Sequence, residues 1–360
     1  MEAPQLDSLP SSPDHIPLSP VGCLFLVAYL VFSSILFDTN FSLPPMSIYP
    51  GHSELAKQFL GTHGPATVGS EEEGVIDAVL SIGLWLERSK KIFSGPLEDE
   101  DFLRHLQTLS LLSANHSSPT TRYIAHSLTS SILHAHPKDS SRLTFITDTL
   151  ENCPYESLKA CAVAWLKEEI INSVTYQPQS HFSTVAFSSA KPFLFPDLTL
   201  LVNASDRDAL EEIKRDFSFH MAVLNFLYFL GGRAYRHVIS REVLPIVVYV
   251  YLDPLGIVLG RLQSSISLGG EMYGTLEKDE AETASAEIEL LGNRLLLCVD
   301  NIEESSEGGD SDSGGTEVNT MDESGAEERG WEGGGVEELS CDDFMQPGSY
   351  GIDLTSGKRG

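Results

Sequence analysis

The chain has 360 residues, 41% of them hydrophobic, with 23 Lys and Arg against 52 Asp and Glu and a formal net charge of −29. So acidic a chain repels phosphate backbones, which excludes direct nucleic-acid binding by the protein as a whole. Its length suffices for one large core or a stack of smaller ones, and five cysteines, odd in number and without a CxxC spacing, fit a reducing compartment better than a disulfide framework.

Residues 1–50 read as an atypical N-terminal segment around "VGCLFLVAYLVFSSILF", residues 21–37, which carries no charge. A membrane span, a signal-peptide core and a buried helix all have this appearance. Seventeen helical residues rise roughly 25 Å, short of a hydrocarbon core of ~30 Å. No Lys or Arg precedes Lys57, whereas signal peptides and spans carry basic flanks. Glu2, Asp7, Asp14 and prolines at 10, 13, 17 and 20 stand there instead. A buried or atypical terminal segment is therefore preferred, with a membrane-anchored protein as the alternative. The N-x-[ST] triplets at Asn40, Asn115 and Asn203 do not change this, because such triplets arise by chance and matter only in a secreted chain.

Residues 51–302 read as a helical-repeat domain. Ser70 and Glu73 have the spacing of a capping box before Val75, Val79, Ile82 and Leu86, which predicts a first helix to about Phe93. After "SGPLEDED", the stripe Phe102, Leu106, Leu109, Leu112 predicts the return helix. Ser118 as N-cap and Pro119 at the first turn open a third, with Ile124, Leu128 and Ile132 aligned. Ser140 or Ser141 is expected to cap "RLTFITDTLEN". Cys153 or Asn152, followed by Pro154, is expected to cap the next helix, whose face is Tyr155, Leu158, Ala162, Trp165, Leu166 and Ile170. The stretch from Asn172 to Ser205 looks looser, with "KPFLFPDLTLL" turning the chain. Asp206 is expected to cap one helix bearing Leu210, Ile213, Phe217, Met221 and Leu224, stopped at Gly231 and Gly232. "LPIVVYVYLDPLGIVLGRL", from 244, suits a strand or a buried helix, and its helical context favours helix. A last helix aligns Ala284, Ile288, Leu291 and Leu295. Pairs recurring at about 40 residues predict an all-α fold, an α-solenoid of HEAT- or armadillo-like hairpins. Residues 303–360, rich in Gly, Ser and acid, hold too little apolar surface to offset ordering entropy and are expected to be a disordered tail.

No P-loop, dinucleotide fingerprint, HExxH, GxSxG or EF-hand loop is present. His134 and His136, two apart on a helix, point to opposite faces, and with His126 they read as exposed or capping histidines rather than a metal site. Glu72, Glu73 and Asp77, and Asp99 to Asp101, read as acids of first helical turns. No catalytic residue, metal site or cofactor is therefore expected. At the start of a helix Cys153 would sit where free N–H groups lower a thiol pKa, which makes it the one candidate redox-sensitive thiol beside a capping role. Cys161 lies about 12 Å away by helical rise, too far for a disulfide to Cys153, and reads as a small core residue.

"ENCPYESLKACAVAWLKEEI" resembles a signature of the fungal YAP-binding protein family, related to glomulin and to the plant aberrant-lateral-root-formation protein. "KPFLFPDLTLL" and "FHMAVLNFLYFL" resemble later blocks of that family in the same order. The resemblance covers roughly residues 70 to 300 and leaves the first forty or so off the pattern, which makes a gene-model artefact a further reading of 21–37. It implies a non-enzymatic, all-helical HEAT-like adaptor. Fungal members are similar to proteins that bind an AP-1-like stress transcription factor and help a thiol peroxidase oxidise it. A paralogous branch associates with kinetochores, and the glomulin branch binds the RING subunit of cullin ubiquitin ligases. The resemblance implies protein partners and a cytoplasmic location, with the nucleus as a second one. It marks no partner-contacting residue.

Overall fold

The computed structural model of the chain describes residues 18–37, 45–94, 98–176, 180–240, 242–267 and 276–307, together with 270, 272 and 274. These residues are all-α: among them there is no strand, and one isolated bridge pairs Tyr49 with Phe93. The chain divides into two units between Arg142 and Leu143. The expected helical domain of 51–302 is thus shared between them. Asn40 and the acidic tail from residue 308 lie outside the described residues; 303–307, expected to belong to that tail, are helical.

Unit one holds α1 (Pro20–Leu36), α2 (Gly51–Phe59), α3 (Glu73–Arg88), α4 (Asp99–Asn115), α5 (Pro119–Ala135) and the first residues of α6 (Asp139–Asn152). Pro20 starts α1 behind Ser19, whose Oγ accepts the Gly22 N–H at 3.0 Å. The helix buries Leu24, Ala28 and Val31, and it packs on α3. The capping box expected of Ser70 and Glu73 does not form. Ser70 donates to the Thr67 carbonyl, and Glu72 is the cap without a side-chain bond. Glu71 instead accepts the N–H groups of Gly61 at 2.6 Å and Gly69 at 2.8 Å, because both glycines adopt positive φ and turn the loop back onto it.

Helix α3 stops at Arg88 rather than Phe93. Lys90 takes φ 55°, the Lys91 N–H returns to Leu86 O, and residues 91 to 94 then pair with 48 and 49. Phe102, Leu106, Leu109 and Leu112 of α4 are fully buried, as their spacing predicts. Ser118 caps α5 by accepting the Thr121 N–H at 3.4 Å. Helix α6 begins at Asp139, ahead of Ser140 and Ser141, where the Asp139 carboxylate meets Arg142 at 2.7 Å.

Unit two continues through α6 to α7 (Glu156–Tyr176), α8 (His181–Thr184), α9 (Ala186–Leu194), α10 (Asp206–Arg215), α11 (Phe217–Leu230), α12 (Leu244–Val247), α13 (Asp253–Ile266) and α14 (Lys278–Glu307). Helix α7 packs on α11, and α14 on both α11 and α13. Trp165 is fully buried and lies 5.7 Å from the Phe145 ring. The region expected to loosen after Asn172 is helical for four more residues of α7 and again in α8 and α9; α9 contains Pro192 and ends two residues beyond it. Ser205, not Asp206, caps α10, accepting the Asp208 N–H at 3.2 Å. The single helix expected after it is two, broken at Asp216, yet Leu210, Ile213, Phe217, Met221 and Leu224 are all buried.

The ambiguous run from 244 is helical. Between α12 and α13, Val248–Leu252 forms a π turn, and the Val250 carbonyl accepts the Leu198 N–H at 3.0 Å. Arg261 of α13 reaches back to the Leu201 and Val202 carbonyls and to Asp206 at 2.9 Å, which fixes the turn after "KPFLFP". By length and composition, Leu244–Ile266 would suffice to cross a membrane.

The core of unit one gives a direct test. Phe102 is fully buried and its ring lies 4.1 Å from that of His136, so Phe102→Ala is expected to cost about 3–5 kcal/mol in urea denaturation. A loss below 1 kcal/mol would show that the α4 stripe does not hold the unit.

Candidate functional site

Cys153 does not cap α7. Its N–H donates to Thr149 O at 3.2 Å, which continues the hydrogen bonding of α6, and α7 is nucleated from the Tyr155 carbonyl, which accepts the N–H groups of Leu158 and Lys159. The residue therefore sits at the carbonyl end of one helix, not the N–H end of the next, and the dipole argument for a thiolate loses its premise. Partial burial pushes its thiol above the usual range. Cys161 is fully buried. Peptide-level mass spectrometry of native protein treated with iodoacetamide at pH 7 should find Cys153 labelled more slowly than a free cysteine peptide. Faster labelling would restore the redox-sensitive reading.

The histidines of "HSLTSSILHAH" are placed differently from expectation. His126 and His136 are buried, not exposed, although His136 does cap α5, and its Nδ1 accepts the Lys138 N–H at 3.1 Å. Asp99, in the first turn of α4, accepts from Lys138 Nζ at 3.0 Å and from Ser141 Oγ at 3.1 Å; the Lys138 bond holds its carboxyl below the usual range. Among the described residues no three His, Cys, Asp or Glu side chains are grouped to hold a metal ion.

The main polar assembly in unit one went unnoticed in the sequence. Tyr49 Oη lies 3.0 Å from His105 Nδ1, His105 Nε2 lies 3.1 Å from His52 Nδ1, and His52 Nε2 lies 2.8 Å from the Val79 carbonyl. A carbonyl only accepts, so His52 carries its proton on Nε2. His52 Nδ1 must then accept from His105 Nε2, and His105 Nδ1 from the tyrosine hydroxyl. One proton order satisfies every atom with all three groups neutral. A Cβ at Gly83 would stand 2.7 Å from both His52 Nε2 and Leu128 Cδ2, so only glycine lets the His52 ring lie against α3.

Unit two repeats the pairing on a smaller scale. His220 Nδ1 meets Tyr251 Oη at 2.8 Å, both groups buried, with Tyr251 supplied by the π turn. Cys298 Sγ donates to Leu224 O at 2.9 Å, and burial pushes its thiol up to about 12. The other ring nitrogen of His220, Nε2, is buried without a hydrogen-bond partner among the described residues.

Burial lowers His52 and His220 to about 4 and His105 well below its usual 6.5. The unfolded chain binds these protons below about pH 6.5, whereas in the fold His52 and His220 resist until about 4 and His105 is held down in the same direction. Stability is therefore complete above pH 6.5 and is lost as pH falls toward 4, by roughly 3 kcal/mol for a group shifted this far. Urea midpoints should fall between pH 7.5 and pH 5, and His52→Asn should flatten that slope whatever its effect on the midpoint itself. A midpoint independent of pH would contradict neutral burial.

What remains open is surface. Between α13 and α14 lies a groove of about 350 Å³. Its walls are Leu259, Ile288, Leu295 and Leu296, and Gly256, Gly260 and Gly292 open it. A Cβ at Gly260 or Gly292 would meet nothing within 4 Å, and one at Gly256 only Leu295 Cδ2 at 3.4 Å. Polar groups stand at the edge. Glu289 is exposed, and Gln263 donates from Nε2 to Ser285 Oγ at 3.2 Å while its buried Oε1 has no hydrogen-bond partner. Ile257, Leu290 and Leu297, on the same two helices, are exposed. A smaller groove of about 190 Å³ in unit one, between α2 and α4, is edged by Lys57, Asp101, Arg104 and Thr108.

Helical phase was the available signal for the missed residues. His105 falls within the stripe Phe102, Leu106, Leu109, and His220 within Phe217, Met221, Leu224, so both had to be buried. Gly256 and Gly260, four apart, open one helical face.

The class these observations define is an all-helical protein with an open apolar groove. The chain belongs to the YAP/Alf4/glomulin family, described as an uncharacterised protein family, whose model matches residues 8–293. That span takes in α1, so residues 21–37 belong to the family pattern and to unit one. This corrects the expectation that the first forty residues stand apart. No curated protein matches the chain.

Proposed function

We propose that the chain is a non-enzymatic adaptor of the oxidative-stress response, which holds an AP-1-like transcription factor for oxidation by a thiol peroxidase with peroxide as the oxidant. Family membership over residues 8–293 carries this reading. The α13–α14 groove is the docking surface within it. Its open floor admits the apolar ridge of a partner helix. Glu289 and the unpaired Gln263 acceptor favour Lys, Arg or amide donors beside that ridge. Cytoplasm and nucleus are the compartments such a role requires.

Glomulin in the family description motivates a second reading: a scaffold for the RING subunit of a cullin ligase, with a kinetochore scaffold as its variant. One experiment separates these. Gly260→Leu fills the groove and Leu296→Asp charges its exposed edge, and neither removes a buried side chain. Each should weaken capture of the AP-1-like factor at least tenfold, with thermal stability retained, and should fail to restore peroxide tolerance to a deletion strain. A deletion strain with normal tolerance and unaltered factor oxidation would overturn the stress role. Capture of the RING subunit instead would favour the second reading, and full capture by both variants would remove the groove from the function.

A further inference from the structure

Helix α1 is covered on one side only. Leu24, Ala28 and Val31 face α3, while Leu18, Phe25, Tyr29, Phe32 and Leu36 are 42–64% exposed. Within the helix Phe25, Tyr29, Phe32 and Leu36 step by four, three and four residues, the spacing of a two-helix seam, in which each side chain enters a hole on a facing helix. Phe25, at the inner edge of this seam, lies along Gly74 of α3, where a Cβ would stand 3.5 Å away, so the helix is seated on α3 while Tyr29, Phe32 and Leu36 stay open.

The eight large apolar side chains exposed between residues 18 and 37 offer, at roughly 100 Å² each, on the order of 800 Å². Few monomers leave more than ~300–600 Å² of contiguous apolar surface open, and ~800 Å² per partner is what a standard stable interface buries. Charge selects the occupant. The chain carries −29, yet residues 16–37 contain no Asp, Glu, Lys, Arg or His. Two copies repel each other over most of their surface and can approach without that cost along this helix. An anionic lipid surface finds no basic residue before Lys57 to attract it.

We propose that α1 is a self-association surface, on which the chain forms a two-fold dimer by seating its outer seam against that of a second copy. Such an interface is isologous, each Tyr29 and Phe32 contacting the same set on the partner.

Sedimentation equilibrium of the full chain at 1–50 μM should give a dimer. Phe32→Asp and Tyr29→Glu, both at exposed positions, should shift it to monomer by at least a hundredfold in dissociation constant, with helical circular dichroism and the urea midpoint unchanged. A wild-type monomer at 50 μM, or a dimer that survives both substitutions, overturns the proposal. So does a wild-type monomer that pellets with phosphatidylcholine vesicles and is released by Phe32→Asp, which would assign the face to lipid instead.

Discussion

Buried histidines and tyrosines on these helices hydrogen-bond while neutral, and that constraint orders the interior of each unit. In unit one the carbonyl of Val79 decides where His52 holds its proton, which decides His105, which decides the direction of the Tyr49 hydroxyl. Helices α2, α3 and α4 and the segment that bridges to residue 93 are thus held by a chain of bonds with one low-energy arrangement. Apolar packing alone would hold them close without choosing a register. Gly83 is the steric condition for it, since the ring occupies the space of a side chain. In unit two, Tyr251 and His220 perform the same service between the π turn and α11.

Such interiors leave little for chemistry and much for contact. Imidazoles kept neutral by burial make poor acids or bases at neutral pH, and both ring nitrogens of His52 and His105 are already engaged. Partial burial also raises the Cys153 thiol, which lowers its thiolate fraction. The unused capacity of the fold is its apolar exterior: the outer side of α1 in one unit and the cleft between α13 and α14 in the other. The two are unlike. The first is a ridge of aromatics, suited to meeting another ridge, and the second a hollow opened by missing side chains, suited to receiving one.

Much of this was legible in the sequence wherever one period governed. The stripes of α4, α5 and α14 and the cap at Ser118 are local, and local spacing locates them. Predictions failed where a distant group overruled a local pattern. Ser70 and Glu73 have the letters of a capping box, but two glycines at positive φ bring backbone donors to Glu71 instead. Pro154 invites a helix start, yet α6 extends one hydrogen bond further and displaces it. The run from 244 resisted assignment because residues 244–252 are apolar all round and rich in β-branched and aromatic side chains, which suit a strand and a buried helix alike. The histidine chain was missed for a related reason: burial follows from phase, but partners 53 and 56 residues apart do not.

The glycines of α13 and α14 bear on how this protein tolerates change. A glycine inside a helix costs about 1 kcal/mol relative to alanine, and at positions 260 and 292 a methyl group would meet no obstacle. Selection for stability alone would replace both. If the groove is the docking surface proposed for it, these helices give up stability to keep a hollow open, and a sequence optimised only for heat resistance would fill it.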